Sequence, residues 1–362
     1  MIKVINDIEE WKTLLTTIEH YDFYHTYDYH QLSKNANEHP ILIHYTDGHT
    51  SLVLPFLLRD IEDSDYKDAT SVYGYAGLLA LNIDKDFNPE QFQNELTTFF
   101  NENKIIAVFS RFHPFIKESE SVLNGLGDIV SLGKVVFIDL NKPLKDLRTT
   151  YNRRLRTYLN KSRRLCTVFE GHTETHIDTF IKLYLENMTR IGADESYHFS
   201  RDYYYRLLTS NDFDSKLMLC KHNETQEIIA GAIFIKTGSI VQYHLSGLNE
   251  AYFKLQPIKL IIDEMCIVSS NEGSKYLNLG GGKGSQEDSL YRFKRKFSKN
   301  VKIFKVWKYI VNKDIYKTLA ENHLKTQLEY SELNNGYFPA YRAPIKSIIS
   351  FLSAIELITL PF

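Results

Sequence analysis

The chain has 362 residues, of which 43% are hydrophobic and 24% charged, and a formal net charge of −2. These values are ordinary for a soluble globular protein and leave room for two domains, each with its own core. Three widely spaced cysteines exclude a disulfide framework, and the charged first twelve residues exclude a signal peptide, so we expect a cytoplasmic protein.

The first 140 residues alternate between helical and strand patterns. Their apolar spacing predicts two helices, three strands, a helix, a strand, a helix and a closing strand. The predicted helices cover residues 8–18, 27–34, 89–100 and 116–123, and the strands cover 40–45, 50–58, 69–75, 105–110 and 134–140.

A basic helix is predicted over residues 144–164, after the boundary at Asn141-Lys142-Pro143. The following residues then repeat the order of the first part. The predicted helices cover 173–190, 200–208, 255–271 and 285–297, and the strands cover 216–222, 228–236, 239–245, 275–279 and 301–311. The last of these helices follows the triplet Gly280-Gly281-Gly282, with Ser285 and Asp288 as a predicted capping box.

This repeat predicts an α/β (α+β) chain of two tandem units with mixed, mainly antiparallel sheets. We predict a first domain at residues 1–141, a second at 142–312, and a helical tail at 313–362 that packs on the first domain. The end of the tail, residues 345–362, is apolar but contains Lys346 and Glu356. A docked helix or an interfacial helix with peripheral membrane contact is therefore expected there, rather than a membrane span.

Positive charge is concentrated in two segments. Residues 145–164 carry +7 and residues 292–308 carry +8, which leaves −17 on the rest of the chain. The two segments indicate a polyanionic ligand, such as a nucleotide diphosphate, CoA or RNA; solvated helix faces are the alternative. No metal site is expected, because the spaced histidines between His20 and His49 lack acid or cysteine partners.

A three-strand meander followed by helix, strand and helix resembles the GNAT acyltransferase fold. Two such units, with a basic helix opening the second, resemble the Fem family over residues 5–311. The motifs that carry this resemblance are Leu54-Pro55-Phe56, Tyr73-Gly74-Tyr75-Ala76-Gly77, Met188-Thr189-Arg190 and Asp288-Ser289-Leu290-Tyr291-Arg292-Phe293-Lys294. The resemblance implies transfer of an amino acid from aminoacyl-tRNA to the peptide of a peptidoglycan precursor.

The Fem resemblance also implies roles for individual residues. It places Phe293 and Lys294 at the transfer site, and Lys34 and Arg190 at the diphosphate of an acceptor nucleotide-sugar. The segment from Tyr75 to Ala80 lacks the Arg-Gly-Pro and the following acid of the peptidyltransferases. This difference favours a neighbouring branch of tandem GNAT proteins, which is associated with surface polysaccharide or cell-envelope synthesis and usually labelled acetyltransferases.

The chemistry of amine attack on an ester or thioester needs alignment and oxyanion stabilisation. Backbone amides of Gly281, Gly282 and Lys283 are candidate donors, unless this is a plain strand-to-helix turn. We expect the acceptor to bind near Tyr73 and Tyr75. Tyr243 and His244 either position the substrate or pack in the core. The candidate general bases are Asp194, Glu195 and His244.

No tightly bound cofactor is expected; the acyl donor is a co-substrate, either aminoacyl-tRNA or acyl-CoA. The loop at residues 247–257 has one glycine and ends at Pro257, and residues 81–89 have none, so neither is a typical CoA pyrophosphate loop. The leading hypothesis is an acyltransferase acting on an amine of a cell-envelope precursor. The alternatives are an acetyl-CoA-dependent N-acetyltransferase and a non-catalytic module that binds RNA or an envelope partner. The sequence leaves the oligomeric state open.

Overall fold

One continuous mixed sheet runs through the chain. The structure, a computed structural model, describes residues 1–327 and 337–344. The strands in this part of the chain are β1 Ile2–Ile5, β2 Glu38–Asp47, β3 Thr50–Asp60, β4 Lys67–Thr70, β5 Leu79–Asn82, β6 Ile105–Arg111, β7 Asp128–Asp139, β8 Cys166–Glu170, β9 Asp214–His222, β10 Ile228–Thr237, β11 Ile240–Leu248, β12 Tyr276–Gly280 and β13 Val301–Ile310. Their order is β1-β2-β3-β4-β6-β13-β7-β12-β11-β10-β9-β8, with β5 paired to β3.

Helices cover both faces of this sheet. They are α1 Ile8–Thr16, α2 Tyr27–Ser33, α3 Pro89–Glu102, α4 Glu118–Leu123, α5 Leu144–Thr149, α6 Arg153–Leu165, α7 Glu174–Arg190, α8 Arg201–Thr209, α9 Pro257–Asn271, α10 Ser289–Lys294 and α11 Lys313–Gln327. Side chains that accept a backbone N–H fix many of the helix starts, as Asp7, Asn88, Asn152 and Thr173 do for α1, α3, α6 and α7. The mixed architecture confirms the predicted fold class.

The same arrangement of strands occurs twice. β2, β3 and β4 form an antiparallel meander, and β6 returns through α3 to pair in parallel with β4. In the second copy β9, β10 and β11 form the meander, and β12 returns through α9 to pair in parallel with β11. A helix crossover is what a parallel pair requires. We call residues 1–141 and 142–312 the first and second halves.

The closing strands of the two halves are exchanged. β13, from the second half, pairs with β6 of the first half and with β7. β7, from the first half, pairs in turn with β12 of the second half. Each half therefore contributes a strand beside the other, and the backbone ladder is continuous across both. The predicted domain boundaries stay predictions.

Two local predictions were wrong, and three short strands were not predicted. The basic helix of residues 144–164 is two helices, α5 and α6, because Asn152 caps a new helix through its side chain. The helix after the glycines begins later than predicted: Asp288, and not Ser285, is its N-cap, and Ser285 lies in the left-handed region at φ 65°. The short strands β1, β5 and β8 were not predicted.

The sheet of the second half lies between two layers of helices. α6 and α9 pack on one face, around residues such as Phe234 and Ile261. α7 and α8 pack on the other face, together with Phe23 and Tyr29 from the first half. The first half therefore shares a core with the second, which fixes the relative position of their side chains.

No helix of residues 1–327 or 337–344 is long and apolar enough to cross a membrane. The predicted tail helix over residues 345–362 lies outside the described residues. A short segment before it, at Ala340–Arg342, returns to the first half, where Arg342 Nε donates a hydrogen bond of 2.6 Å to the buried carboxyl of Asp68.

Candidate active site at the glycine turn

Lys294 is a buried lysine at the end of α10. It is 7% exposed, and its Nζ donates a hydrogen bond of 2.6 Å to the carbonyl oxygen of Gly281. Burial lowers the pKa of Lys294 from 10.5 to about 8, although the nearby Asp288 favours the charged form. A buried amine with a shifted pKa is typical of a functional site. This burial excludes a solvent-exposed helix lysine at position 294.

The glycine turn is tied to both neighbouring elements. The Gly280 N–H donates to Asn278 Oδ1 at 3.1 Å, and Gly280 adopts φ 76°, which glycine allows without strain. The Asp288 carboxylate accepts from Lys283 N at 3.3 Å and from Tyr291 N at 2.9 Å. Asp288 therefore joins the turn to α10 and fixes the turn relative to Lys294.

Two glycines of this turn have no room for a side chain. A Cβ on Gly281 would lie 2.9 Å from the carbonyl oxygen of Lys134. A Cβ on Gly282 would overlap the carbonyl oxygen of Gln286 and the carboxylate of Asp288. The glycines are thus required by the close approach of the main chain, and the turn has one defined shape.

A buried polar network, missed by the sequence analysis, connects the first half to the glycine turn. Asp22 Oδ2 accepts from His113 Nε2 at 2.8 Å and from Gln242 Nε2 at 2.5 Å. Gln242 Oε1 accepts from Asn278 Nδ2 at 2.8 Å, and Asn278 holds Gly280. All four side chains are at most 3% exposed. The available signal was a polar residue inside an apolar strand, as at Gln242 and Asn278.

His244 and Tyr243 lie on opposite faces of β11. His244 is the extra residue of a β-bulge, since Leu245 pairs with Ile233 and Tyr243 with Phe234. His244 Nε2 lies 3.1 Å from Tyr203 Oη, and burial lowers the pKa of His244 to about 4. The imidazole is therefore neutral near pH 7 and a weak base.

Tyr243 belongs to the opposite core. Its ring packs 5.5 Å from Phe234, and its hydroxyl donates to Ser246. Burial raises the pKa of Tyr243 to about 12. The two adjacent candidates therefore do not act on one ligand from the same side of the sheet.

Tyr73 forms a rim that joins the two halves. Its side chain is 63% exposed, and its hydroxyl lies 3.5 Å from Tyr197 Oη of the second half. The Arg111 guanidinium lies 5.6 Å from the Tyr73 ring centroid. Hydrogen bonds from Ser196 lower the pKa of Asp194 beside this rim, and the nearby Lys283 charge adds to the shift. Tyr73, Asp194 and Lys283 therefore border the same region.

The other predicted residues are more dispersed. Tyr75 packs beneath the rim, 5.2 Å from the Phe304 ring, and Phe293 packs 5.8 Å from Phe297 inside the second half. Lys34 is exposed at the end of α2, and Arg190 is exposed at the end of α7. Glu195 is exposed in the turn that bears Tyr197.

Residues 1–327 and 337–344 contain no cluster of three or more His, Cys, Asp or Glu side chains that could hold a metal ion. Around the glycine turn, the organised polar features are the Lys294 amine, the main chain of the turn and the buried network that begins at Asp22. Together they supply a cationic group and backbone amides at one place, which suits stabilisation of a developing negative charge.

One family model matches part of the chain. Residues 220–319 match the FemAB family model, and this span contains the glycine turn and Lys294. No curated protein sequence matches the chain significantly. The crystal structure of FemX is similar in fold, with a TM-score of 0.68 and 14% identity over 87% of this chain and 99% of FemX.

Two further solved structures share the fold. One is the C-terminal domain of an Agrobacterium fabrum protein that is named as a candidate lysylphosphatidylglycerol synthetase. Its TM-score is 0.52 and its identity 14%, and the match covers 83% of this chain and 92% of the domain. The other is a Bacteroides thetaiotaomicron protein of unknown function. Its TM-score is 0.55 and its identity 11%, and the match covers 84% of this chain and 99% of that protein. The predicted resemblance to Fem-type tandem proteins is confirmed; the polysaccharide-associated branch stays a prediction.

Proposed function

We propose that this chain is an acyltransferase that moves an aminoacyl group from aminoacyl-tRNA to an amine of a cell-envelope precursor. The observation that carries the proposal is the Lys294 amine, buried and held 2.6 Å from the carbonyl oxygen of Gly281 in a glycine turn of defined shape. The match of residues 220–319 to the FemAB family, together with the shared fold, points to an acyltransferase.

The chemistry needs little covalent participation by the protein. The neutral acceptor amine attacks the ester carbonyl carbon, a C–N bond forms, and the carbonyl oxygen becomes an oxyanion. The C–O bond to the ribose then breaks, and the proton lost by the amine neutralises the ribose oxygen. The Lys294 ammonium and the backbone N–H groups of Gly281 and Gly282 stabilise the oxyanion, an effect of about 3–4 kcal/mol for each donor. The N–H of Lys283, the third candidate donor, is bonded to Asp288.

The loop before α9 favours aminoacyl-tRNA over acyl-CoA as the donor, because it is a poor site for the pyrophosphate of CoA. The preceding loop is occupied by a 3₁₀ helix at Glu250–Leu255, and Pro257 at the first helical position has no N–H to offer a pyrophosphate. Gly247, near the end of β11, is required for packing: its Cβ would lie 2.5 Å from the backbone N of Tyr184 in α7. The loop therefore lacks the open main chain that a pyrophosphate needs.

The acceptor belongs to the cell envelope in this proposal. The Fem resemblance implies a peptidoglycan precursor, and a fold neighbour is named as a candidate lysylphosphatidylglycerol synthetase. A nucleotide-sugar of surface polysaccharide synthesis is the other candidate. The rim at Tyr73, with exposed Lys34 and Arg190, is the proposed acceptor side, and the tail beyond residue 344 is the proposed membrane contact.

The proposal is tested by direct transfer. Purified full-length chain is incubated with tRNA charged with labelled amino acids, or with labelled acetyl-CoA. The acceptor is either a nucleotide-linked peptidoglycan precursor or a nucleotide-linked amino sugar. Label that moves from tRNA to an acceptor supports the proposal. Transfer from acetyl-CoA alone identifies an N-acetyltransferase, and RNA binding without any transfer identifies a non-catalytic module; either result overturns it.

Gly282→Ala is expected to lower the transfer rate about 10²-fold, because a displacement of roughly 1 Å in a positioning element costs that much. The added methyl group overlaps Gln286 and Asp288 and so moves the turn. Single-turnover transfer measures the effect. Gly284→Ala is the matched control: its Cβ meets nothing within 4 Å, and its φ of 57° costs roughly 1–2 kcal/mol of stability without moving the turn. Equal rates in both variants would contradict a shaped turn.

Transfer is expected to decline as the pH rises through about 8, because Lys294 loses the charge that stabilises the oxyanion. Lys294→Arg keeps the charge at every accessible pH, so any activity that it retains should not decline there. Single-turnover rates between about pH 6 and 9.5, corrected for ester hydrolysis, provide the measurement. A decline at the same pH in the arginine variant would assign the titration to another group.

A further inference from the structure

Two cationic side chains of the second half meet around the ring of Tyr158, and a third, Lys296, acts on one of them electrostatically. Arg154 of α6 donates a hydrogen bond of 2.9 Å from Nε to Tyr158 Oη, and its guanidinium carbon lies 5.5 Å from the Tyr158 ring centroid. Lys259 Nζ of α9 lies 4.3 Å from the same centroid. Lys296, two residues after Lys294, is close enough to repel the Lys259 charge.

Lys259 is buried without a counter-charge. Its residue is 4% exposed, and its ammonium donates to the neutral side-chain oxygen of Gln256. Across residues 1–327 and 337–344, no carboxylate lies within ion-pair distance of it. Burial, followed by the charges of Lys296 and Arg154, lowers the pKa of Lys259 to about 8. A buried cation among like charges is costly, so this arrangement is expected where an anion binds.

The remaining basic residues of this region show that the cluster is not a structural anchor. Asp263, fully buried in α9, pairs with Arg148 at 2.6 Å and also with Arg163. Arg163 reaches Glu264 as well, at 3.3 Å. These two arginines therefore hold α5 and α6 on α9. Among the described residues, Arg154 of α6 and Lys259 of α9 have no carboxylate partner, although Arg163 and Asp263 of the same two helices form an ion pair.

We propose that Arg154 and Lys259, with the exposed Lys296 nearby, form a binding site for a phosphate group of the acyl donor in the same half of the chain as Lys294. The proposal rests on the proposed acyl transfer and adds the place where the donor is held. A phosphate would neutralise the cluster and bind between α6 and α9, where Arg154 and Lys259 meet. The bound donor would then direct its reactive carbonyl to the glycine turn.

A phosphodiester of RNA fits this surface better than the single pyrophosphate of CoA. α6 has 13 residues and so extends about 20 Å. It exposes four further cations beside the cluster: Arg153, Arg156, Lys161 and Arg164. Positive charge spread over this length follows the backbone of several nucleotides, whereas a pyrophosphate would occupy only one place on it.

The experiment compares two phosphate-bearing probes: a short RNA hairpin that ends in the single-stranded CCA of tRNA, and CoA. Their affinity is measured at several salt concentrations for the native chain, Arg154→Ala and Lys259→Met. Each variant is expected to bind the RNA at least about tenfold more weakly at low salt. The slope of log K against log salt should fall by about 0.7–0.9 for each lost phosphate contact. Lys182→Met and Arg206→Ala, exposed cations of α7 and α8, are matched controls that should leave the affinity unchanged.

Thermal unfolding separates binding from a structural role. Lys259→Met keeps the aliphatic stem and removes a buried charge, so its melting temperature should stay the same or rise. RNA affinity and salt slope equal to those of the native chain in both variants would overturn the site. If the variants weaken CoA instead of RNA, the phosphate site is supported and tRNA as donor is overturned. Transfer activity with unchanged probe binding in the variants would overturn this site alone and leave the proposed function standing.

Discussion

Lys294→Met is expected to reduce transfer by about 10²–10³-fold while the chain remains as stable as the native protein, or becomes more stable. The loss follows because methionine fills the same space without the charge that faces the oxyanion. The native amine is 7% exposed and bonded to the carbonyl oxygen of Gly281 at 2.6 Å, so its charge is held at the turn.

The stability result follows from the direction of the pKa shift. In the folded chain the pKa of Lys294 is about 8, below its usual 10.5, so the unfolded chain binds more protons between these values. Stability therefore rises with pH across this window, and below it the lysine destabilises the fold by roughly 3 kcal/mol. Removing the amine relieves this cost but leaves the Gly281 carbonyl without its donor, a loss of about 1–3 kcal/mol. The two effects nearly cancel, so the free energy of unfolding of the variant should equal that of the native chain or exceed it slightly.

Urea unfolding near pH 7 and single-turnover transfer measure the two properties separately. Lys275→Met, at an exposed position of the same half, is the matched control and should change neither. Full transfer activity in Lys294→Met would remove this residue from the site. A large loss of stability together with activity would instead identify Lys294 as a structural residue.

Asp22→Ala is expected to have the largest effect on stability, a loss of about 3–5 kcal/mol in the free energy of unfolding. The Asp22 side chain is fully buried and accepts hydrogen bonds from His113, Gln242 and the backbone N–H of Phe23, which lies 2.7 Å away. Since Phe115 N–H donates to His113 Nδ1, the proton of this imidazole is on Nε2 and faces Asp22. Alanine leaves all three donors buried without an acceptor.

Asp22→Ala should also lower the transfer rate, because hydrogen bonds through Gln242 and Asn278 connect Asp22 to Gly280 in the glycine turn. Asp22→Asn keeps the shape but exchanges one acceptor for a donor, so an intermediate loss is expected. Urea denaturation measures both variants, and Asp146→Ala, exposed at the start of α5, should lie within about 0.5 kcal/mol of the native chain. A change for Asp22→Ala as small as that of the control would show that the network contributes little.

Several features were predictable because they depend on neighbours in the sequence. Continuous apolar runs bounded by turns predicted β3 and β10, and helical spacing predicted α3, α7 and α9 within a few residues. The repeated order of these elements predicted the fold class, which the structure confirms. The motif from Asp288 to Lys294 predicted a functional site next to the glycine turn.

Other features depend on residues that are far apart in the chain, and the sequence pattern contains little signal for them. The stripe of residues 144–164 predicts one helix, whereas the cap at Asn152 and the ion pairs of Arg148 and Arg163 with Asp263 produce two. His244 and Tyr243 are adjacent in the chain, yet they point to opposite faces of β11, where a bulge occurs. His244 therefore packs against Phe23, and Tyr243 packs in the core on the other face. A pattern cannot specify such partners, because they are chosen by packing.

The sequence by itself determined the order of helices and strands, the duplication and the position of the glycine turn, since local periodicity and turn residues specify these. Only the tertiary structure decided that β7 and β13 are exchanged, that Asp22 reaches Gln242, and that Lys294 is buried. The reason is physical: desolvation of an amine and satisfaction of a buried carboxyl depend on everything that surrounds them in space. The fold brings those surroundings together from segments more than 200 residues apart, as the separation of 220 between Asp22 and Gln242 shows.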